Sequence, residues 1–246
     1  MIDRLLRSPI LLAIAFLFAG LVGAAVYASV RPAPGGADRA GVEATVRDYI
    51  LANPEIIPQA MERLRDRETG KVVQANRAGI VTPFGSAWKG AKNPDVTVVA
   101  YMDYACGYCR ASLPMLDRLI AADPKVRVVF RELPILSAQS RTAAEWSLAA
   151  ARQGKFAAYH DALFAAGRLT PQSIDAAIAR AGLNRAAGQA FARSKAATDE
   201  LSKNLSMAGQ LGMTGTPAWV IGNRVLAGAI PLEQMQAAVA AARAAK

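Results

Sequence analysis

The only two cysteines of this 246-residue chain, Cys106 and Cys109, stand three apart where one sequence pattern gives way to another. Before them, residues 95–101 are β-branched and apolar and read as a strand. After them, residues 110–122 place Leu113, Leu116, Leu119 and Ile120 at helical spacing. A strand that runs through Cys-x-x-Cys into a helix sets Cys106 at the first turn, where backbone N–H groups are unpaired and the positive end of the helix dipole faces the sulfur. The thiolate is the form that attacks a disulfide, and such a position favours it. Cys109 lies on the same helix face and can close a bond back to Cys106. The pattern therefore points to redox chemistry, with Cys106 the exposed nucleophile and Cys109 the deeper, resolving thiol.

Other uses of the pair have less behind them. A structural disulfide closing so short a loop restrains little of the unfolded chain. A structural zinc site takes four ligands, and His160 is the only histidine beside this single cysteine pair. No metal site is therefore expected, although two soft thiolates could take copper(I) as a side role.

Arg4 and Arg7 precede an uncharged stretch, residues 8–30, which ends at Arg31. More than about twenty apolar residues suffice to span a bilayer. The stretch is read as an uncleaved anchor over residues 1–31, embedded through 9–30; the alternative is a secretory signal cut after the weak small-residue site at Ala28. Either way the basic flank stays inside and the rest is exported, to the periplasmic side of a bacterial inner membrane or, if cleaved, to the periplasm in soluble form. One cysteine pair in an oxidising compartment, without a disulfide framework, argues for action on other proteins. The net charge of +10 is dispersed, with no basic run interleaved with aromatics. Nucleic acid is not an expected partner; anionic membrane surfaces or acidic partners fit better.

Residues 32–40 form a Pro/Gly linker. Residues 41–70 carry two helical patterns broken at Asn53-Pro54, with Val42, Val46, Tyr49 and Ile50 on one stripe and Ile57, Met61 and Leu64 on another. So small a pair cannot bury both stripes alone, so it packs on the next domain or on another subunit, and a homo-oligomer is the favoured expectation. Residues 71–92 read as turn-rich, with a short strand near 80–84. A second strand is expected over 125–133, and Pro114 should kink the first helix. Residues 137–211 form a helical insertion of about four helices, punctuated by Gly154, Gly167, Thr170-Pro171 and Gly182. His160, flanked by aromatics, is a structural histidine before it is a general base. Residues 216–228 give a hairpin turning at Gly222-Asn223, and residues 231–244 a closing amphipathic helix.

Strand, Cys-x-x-Cys, helix, strand, helical insertion, Thr216-Pro217 hairpin and final helix resemble the Dsb-type thiol:disulfide oxidoreductases over residues 80–246. The resemblance implies an α/β thioredoxin fold with an inserted helical domain over residues 71–246. It implies that Cys106 is the nucleophile, Cys109 the resolving thiol, Pro114 the kink proline and Pro217 the cis-proline. Thr216 and Pro217 would then lie beside the cysteines and present backbone to substrate. It also implies protein substrates with thiols or disulfides, a membrane redox partner that resets the pair, and no bound cofactor. Gly107 and Tyr108, between the cysteines and placed to meet substrate, look like the isomerase and reductase members; Tyr108 brings no positive charge, so a less oxidising couple is expected than in the oxidases. Relatives commonly carry a buried acid six residues before the first cysteine, where this chain has Ala100. Strand alternation does not put nearby Asp103 on that face, which leaves water as the expected proton acceptor for Cys109. Residues 42–68, with Tyr49-Ile-Leu-Ala-Asn-Pro-Glu55, are similar to the N-terminal extension of suppressor of copper sensitivity C-type proteins, which assembles subunits in some relatives.

Overall fold

The computed structural model describes residues 9–30 and 37–245. Residues 1–8, 31–36 and 246 lie outside them, and with them the ends of the expected anchor and residues 32–36 of the expected linker. Contacts divide the chain into two compact units, residues 1–60 and 61–246.

In the first unit, Pro9–Val30 forms an uncharged helix of 22 residues, α1. Some of its side chains lie outside the described set. Among the described residues no helix is long and apolar enough to cross a membrane. The anchor expected over residues 9–30 thus has no support from the structure. Ala37–Ala52 is α2, so helix begins inside the segment expected to be linker. The chain breaks at Asn53-Pro54 and resumes as α3, Ile56–Ala75, where Pro58 falls in the first turn and no intrahelical N–H is lost. Val42, Val46, Tyr49 and Ile57 are exposed, as are Met61 and Leu64 further along α3.

The second unit is built on five strands in the order β1-β3-β2-β4-β5. These are β1 Trp88–Gly90, β2 Val96–Met102, β3 Val126–Glu132, β4 Ala218–Ile221 and β5 Arg224–Ala227. The β2–β3 pair is parallel, joined through helix α5, Gly107–Ala122, and the remaining pairs are antiparallel. Both central strands are buried on both faces, which is why they read as continuous apolar runs. One face, with Val98, Ala100, Val128 and Phe130, packs on α5 and on the closing helix α11, Leu232–Ala244. Along α5, Cys109, Ser112, Leu116 and Leu119 make the inward stripe, a spacing of three and four residues.

Residues 80–84 are not a strand. Arg77–Val81 is a short helix, α4, and Thr82 is its C-cap. Arg131, buried on β3, donates to the carbonyls of Gly79, Ile80 and Thr82 and pairs with Glu200 at 2.5 Å. A buried guanidinium gathers the carbonyls that strand pairing would have used. After this turn Gly85, at φ 53°, brings the backbone against the Ala151 carbonyl, where a Cβ would stand 2.5 Å from the oxygen.

The insertion holds five helices rather than four: α6 Ala138–Arg152, α7 Phe156–Ala165, α8 Pro171–Arg180, α9 Arg185–Ala192 and α10 Lys195–Gln210. Four of the five starts carry side-chain caps, the expected one at Thr170 and others at Ser137, Asn184 and Ser194. The last of them also serves the sheet. Ala208 and Leu211 join Val73, Ile80, Val99, Tyr101 and Val129 in the core on the second face.

Candidate active site

Strand register brings the site together. Tyr101 on β2 pairs with Ala218 on β4, so the segment entering β4 must pass the C-terminal end of β2, where the cysteine loop starts. The Thr216–Pro217 peptide in that segment is cis. Gly228 N–H donates to the Pro217 carbonyl at 2.8 Å and the Trp219 indole donates to the Gly228 carbonyl at 2.8 Å, which fastens the hairpin behind it.

Cys106 is the N-cap of α5. Its sulfur accepts the Cys109 N–H at 3.4 Å and its thiol donates to the Thr216 carbonyl at 3.2 Å. Both cysteines are free thiols. Cys106 is 6% exposed, more covered than the exposed nucleophile expected, because the Thr216-Pro217 segment lies over it. Cys109 is fully buried one turn later, and burial pushes its thiol well up. The Asp103 backbone and the Thr216 side chain favour its thiolate to a lesser degree, although the Thr216 hydroxyl makes no hydrogen bond of ordinary length. Gly107 and Tyr108 are exposed at the start of α5, Tyr108 by 70%, with open space around Gly107. Pro114 lies inside α5. All six residues expected at the site, Cys106, Gly107, Tyr108, Cys109, Thr216 and Pro217, thus belong to two segments joined at the Cys106–Thr216 contact.

The surroundings bring Asp103 and His160, both named from the sequence, together with three groups that sequence reasoning missed, Tyr104, Glu132 and Ser147. Asp103 is buried; one carboxylate oxygen accepts Ala105 N–H at 2.8 Å, and the other accepts Ile135 and Leu136 N–H at 2.9 and 3.0 Å. Behind it lies a buried polar cluster. Tyr104 Oη stands 2.9 Å from Ser147 Oγ, 3.1 Å from His160 Nδ1 and 3.4 Å from Glu132 Oε1, and Ser147 donates to Glu132 at 2.7 Å. Desolvation pushes Glu132 up to about 8, with the Asp103 charge adding to the shift. Desolvation likewise holds His160 down at about 3, so its ring is neutral. That ring packs against Phe130, Phe156 and Phe164 within 4.9 Å, and Nε2 has no partner among the described residues. His160 is therefore a core residue with one unsatisfied nitrogen. Alternation on β3 was the available signal for Glu132: Val126, Val128, Phe130 and Glu132 share a face whose first three members are apolar.

Among the described residues no group of three or more His, Cys, Asp or Glu side chains is placed to hold a metal ion.

Comparison with known proteins bears on the same residues. A family model described as DSBA-like thioredoxin domain matches residues 97–240, and one described as copper resistance protein ScsC N-terminal domain matches residues 38–69. Among solved structures, the chain is similar to a thioredoxin-like oxidoreductase from Silicibacter pomeroyi DSS-3, with 35% identity, TM-score 0.66, and coverage of 70% of this chain and 99% of that one. It is similar to a periplasmic thioredoxin-like protein from Salmonella enterica serovar Typhimurium at 30% identity and TM-score 0.60, covering 68% and 95%. ScsC of Proteus mirabilis in a transitional conformation aligns at 26% identity and TM-score 0.64, covering 86% of this chain and all of that one. Among curated proteins, the Na(+)/H(+) antiporter NhaA 3 of Salinispora tropica is 29% identical over 165 residues, 66% of this chain; the chain spans 25% of that relative's length.

Proposed function

The chain belongs to the DSBA-like thioredoxin domain family, and from that premise we propose that it is an exported thiol:disulfide oxidoreductase acting on proteins, as an isomerase or reductase. The observation that carries the proposal is Cys106, capping α5 with its sulfur 3.2 Å from the carbonyl of Thr216 beside the cis peptide bond. A thiolate there attacks one sulfur of a client disulfide. The Cys106–client bond forms, the client S–S bond breaks, and the departing client sulfur takes up a proton. Thr216 and Pro217 offer backbone on which the client chain can dock, and Gly107 and Tyr108 face it across open space.

Two outcomes follow from the mixed disulfide. If Cys109 gives up its proton and attacks Cys106, the pair is oxidised and the client leaves reduced by two electrons. If a second client thiol attacks first, Cys106 returns to its thiol and the client is isomerised without net electron transfer. Burial holds Cys109 in the thiol form, which slows the first route and gives the second more time. The uncharged Gly107-Tyr108 pair supports the same direction.

Location and assembly belong to the proposal as well. Export to the periplasm, where a membrane redox partner would reset the cysteine pair, is supported by the likeness to a periplasmic thioredoxin-like protein of Salmonella enterica. The exposed stripe on α2 and α3 supports self-association, consistent with the ScsC N-terminal match over residues 38–69.

The test is reactivation of a scrambled multi-disulfide protein in glutathione buffer by the full chain and by Cys106→Ser. Reactivation that requires Cys106 is expected. Failure to reactivate, together with rapid oxidation of a reduced client, would replace the isomerase reading with that of a disulfide-introducing oxidase.

A further inference from the structure

The two ends of the sheet carry different chemistry. At one end β2 runs into the cysteine loop, beside the Tyr101–Ala218 pair; at the other, Val98 pairs with Ile221 and the chain turns at Gly222-Asn223 into β5. A cavity of about 420 Å³ opens at this second end, away from the cysteines. Its walls come from three segments: the end of α3 with the start of α4, the hairpin turn, and α11.

Close approaches on both sides of the turn hold these walls in place. Gly222, at φ 60°, lies so near α11 that a Cβ there would stand 2.9 Å from the Ala242 Cβ, and a Cβ on Gly70 of α3 would stand 3.2 Å from the Asn223 carbonyl oxygen. Arg224 adds an ion pair with Asp66 of α3 at 3.1 Å. The turn is thus wedged between two helices, and the cavity is formed before any ligand arrives. It stays open on the α11 side because only methyl groups face it there, from Ala238, Ala241 and Ala242, with Ala245 just beyond the helix.

The charge lining the cavity has one sign. Arg77 and Arg224 are its charged residues, and Gln74 and Asn223 add amides. Arg224 meets Asp66 through Nε, which leaves its two terminal nitrogens without a hydrogen bond among the described residues. The Arg77 side chain has neither a hydrogen bond nor an ion pair among those residues. Guanidinium groups of this kind take carboxylate or phosphate oxygens in pairs.

We infer that this cavity binds a small amphipathic oxyanion, with its phosphate or carboxylate group on Arg77 and Arg224 and a short apolar portion against the alanines of α11. The volume lies toward the lower end of the range for small-molecule sites, which suits one ring or a short hydrocarbon chain. The site is separate from Cys106 and Cys109, and it stands whichever direction of exchange the cysteines favour.

The experiment is calorimetric titration of the full chain with phenyl phosphate, inorganic phosphate and benzyl alcohol. Phenyl phosphate is expected to bind once per chain, inorganic phosphate at least about tenfold more weakly, and the neutral alcohol not measurably. Arg77→Gln removes no contact within the protein, so its stability without ligand should match wild type, while its Kd for phenyl phosphate should rise about tenfold, the loss of one charge-assisted contact. Ala241→Leu keeps both guanidinium groups and fills part of the cavity from an exposed position on α11; it should weaken phenyl phosphate by a similar factor and leave inorganic phosphate within about twofold. Wild type that does not bind phenyl phosphate, or that binds inorganic phosphate as tightly, would overturn the inference. So would a Kd within twofold of wild type in Arg77→Gln.

Discussion

Two buried titratable groups in contact with one tyrosine make the pH dependence of stability calculable. Glu132 is raised from its ordinary 4.5 to about 8 by burial, so the folded protein keeps a proton there that the unfolded chain has already released. Its contribution is fully present below pH 4.5 and is lost as pH rises through about 8, a total of about 5 kcal/mol at roughly 1.4 kcal/mol per pH unit. His160 has the opposite sign. Lowered from 6.5 to about 3, it stays neutral in the fold, and its contribution is present above pH 6.5 and lost as pH falls toward 3. Between pH 4.5 and 6.5 the two slopes cancel, and above 6.5 only Glu132 still acts. Wild type should therefore lose about 2 kcal/mol between pH 6.5 and 8.5 from this group. Glu132→Gln retains an acceptor for Ser147 and removes the titration. Urea unfolding of both proteins across that interval gives the comparison, and the difference between them cancels the background of surface groups. The expected result is a stability gap that widens in favour of the variant by about 2 kcal/mol as pH rises. Parallel curves from pH 6.5 to 8.5 would show that Glu132 is already ionised in the folded protein, and would refute this account of the cluster.

Arg131→Met should cost about 3–5 kcal/mol by urea titration, because it strands Glu200 and three backbone carbonyls that the guanidinium now satisfies. If the stripe on α2 mediates self-association, Val46→Glu/Tyr49→Glu should lower the molar mass seen by sedimentation equilibrium to that of one chain; both residues are more than half exposed, so little change in thermal stability is expected. An unchanged mass would remove that stripe from any interface.

The legible parts of the fold were those written in local pattern. Residues 95–101 and 125–133 read as strands because they are buried on both faces, and the helix breaks read from Gly and cap residues. The redox pair was legible because two cysteines at a strand-to-helix junction have few other uses. The failures share a cause: each depended on a partner distant in sequence. Residues 80–84 have β-branched character and were expected to be a strand, but Arg131, about fifty residues away, collects their carbonyls. Asp103 reads locally as a strand-end turn residue; alternation gives the face of its side chain but not that its acceptors are Ile135 and Leu136. The last insertion helix looked like its neighbours, since nothing local shows that Ala208 and Leu211 cover the sheet.

Ala100 shows how such distant placement changes the reading of one position. Resemblance led to an acid there and the chain supplies none, so water was the expected proton acceptor for Cys109. Parallel register sets Ala100 beside Phe130 and Met102 beside Glu132, so a carboxyl does occupy the region, one alternation further along and on the neighbouring strand. Its bonds run to Tyr104 and Ser147, and Tyr104 follows directly on Asp103, whose carbonyl holds the Cys106 N–H. Burial keeps that carboxyl protonated at neutral pH, and the acid of the cysteine loop itself, Asp103, is engaged by three backbone N–H groups. Asp103 thus fixes the geometry of the loop that carries Cys106, while Glu132 stays protonated within the buried cluster of Tyr104, Ser147 and His160.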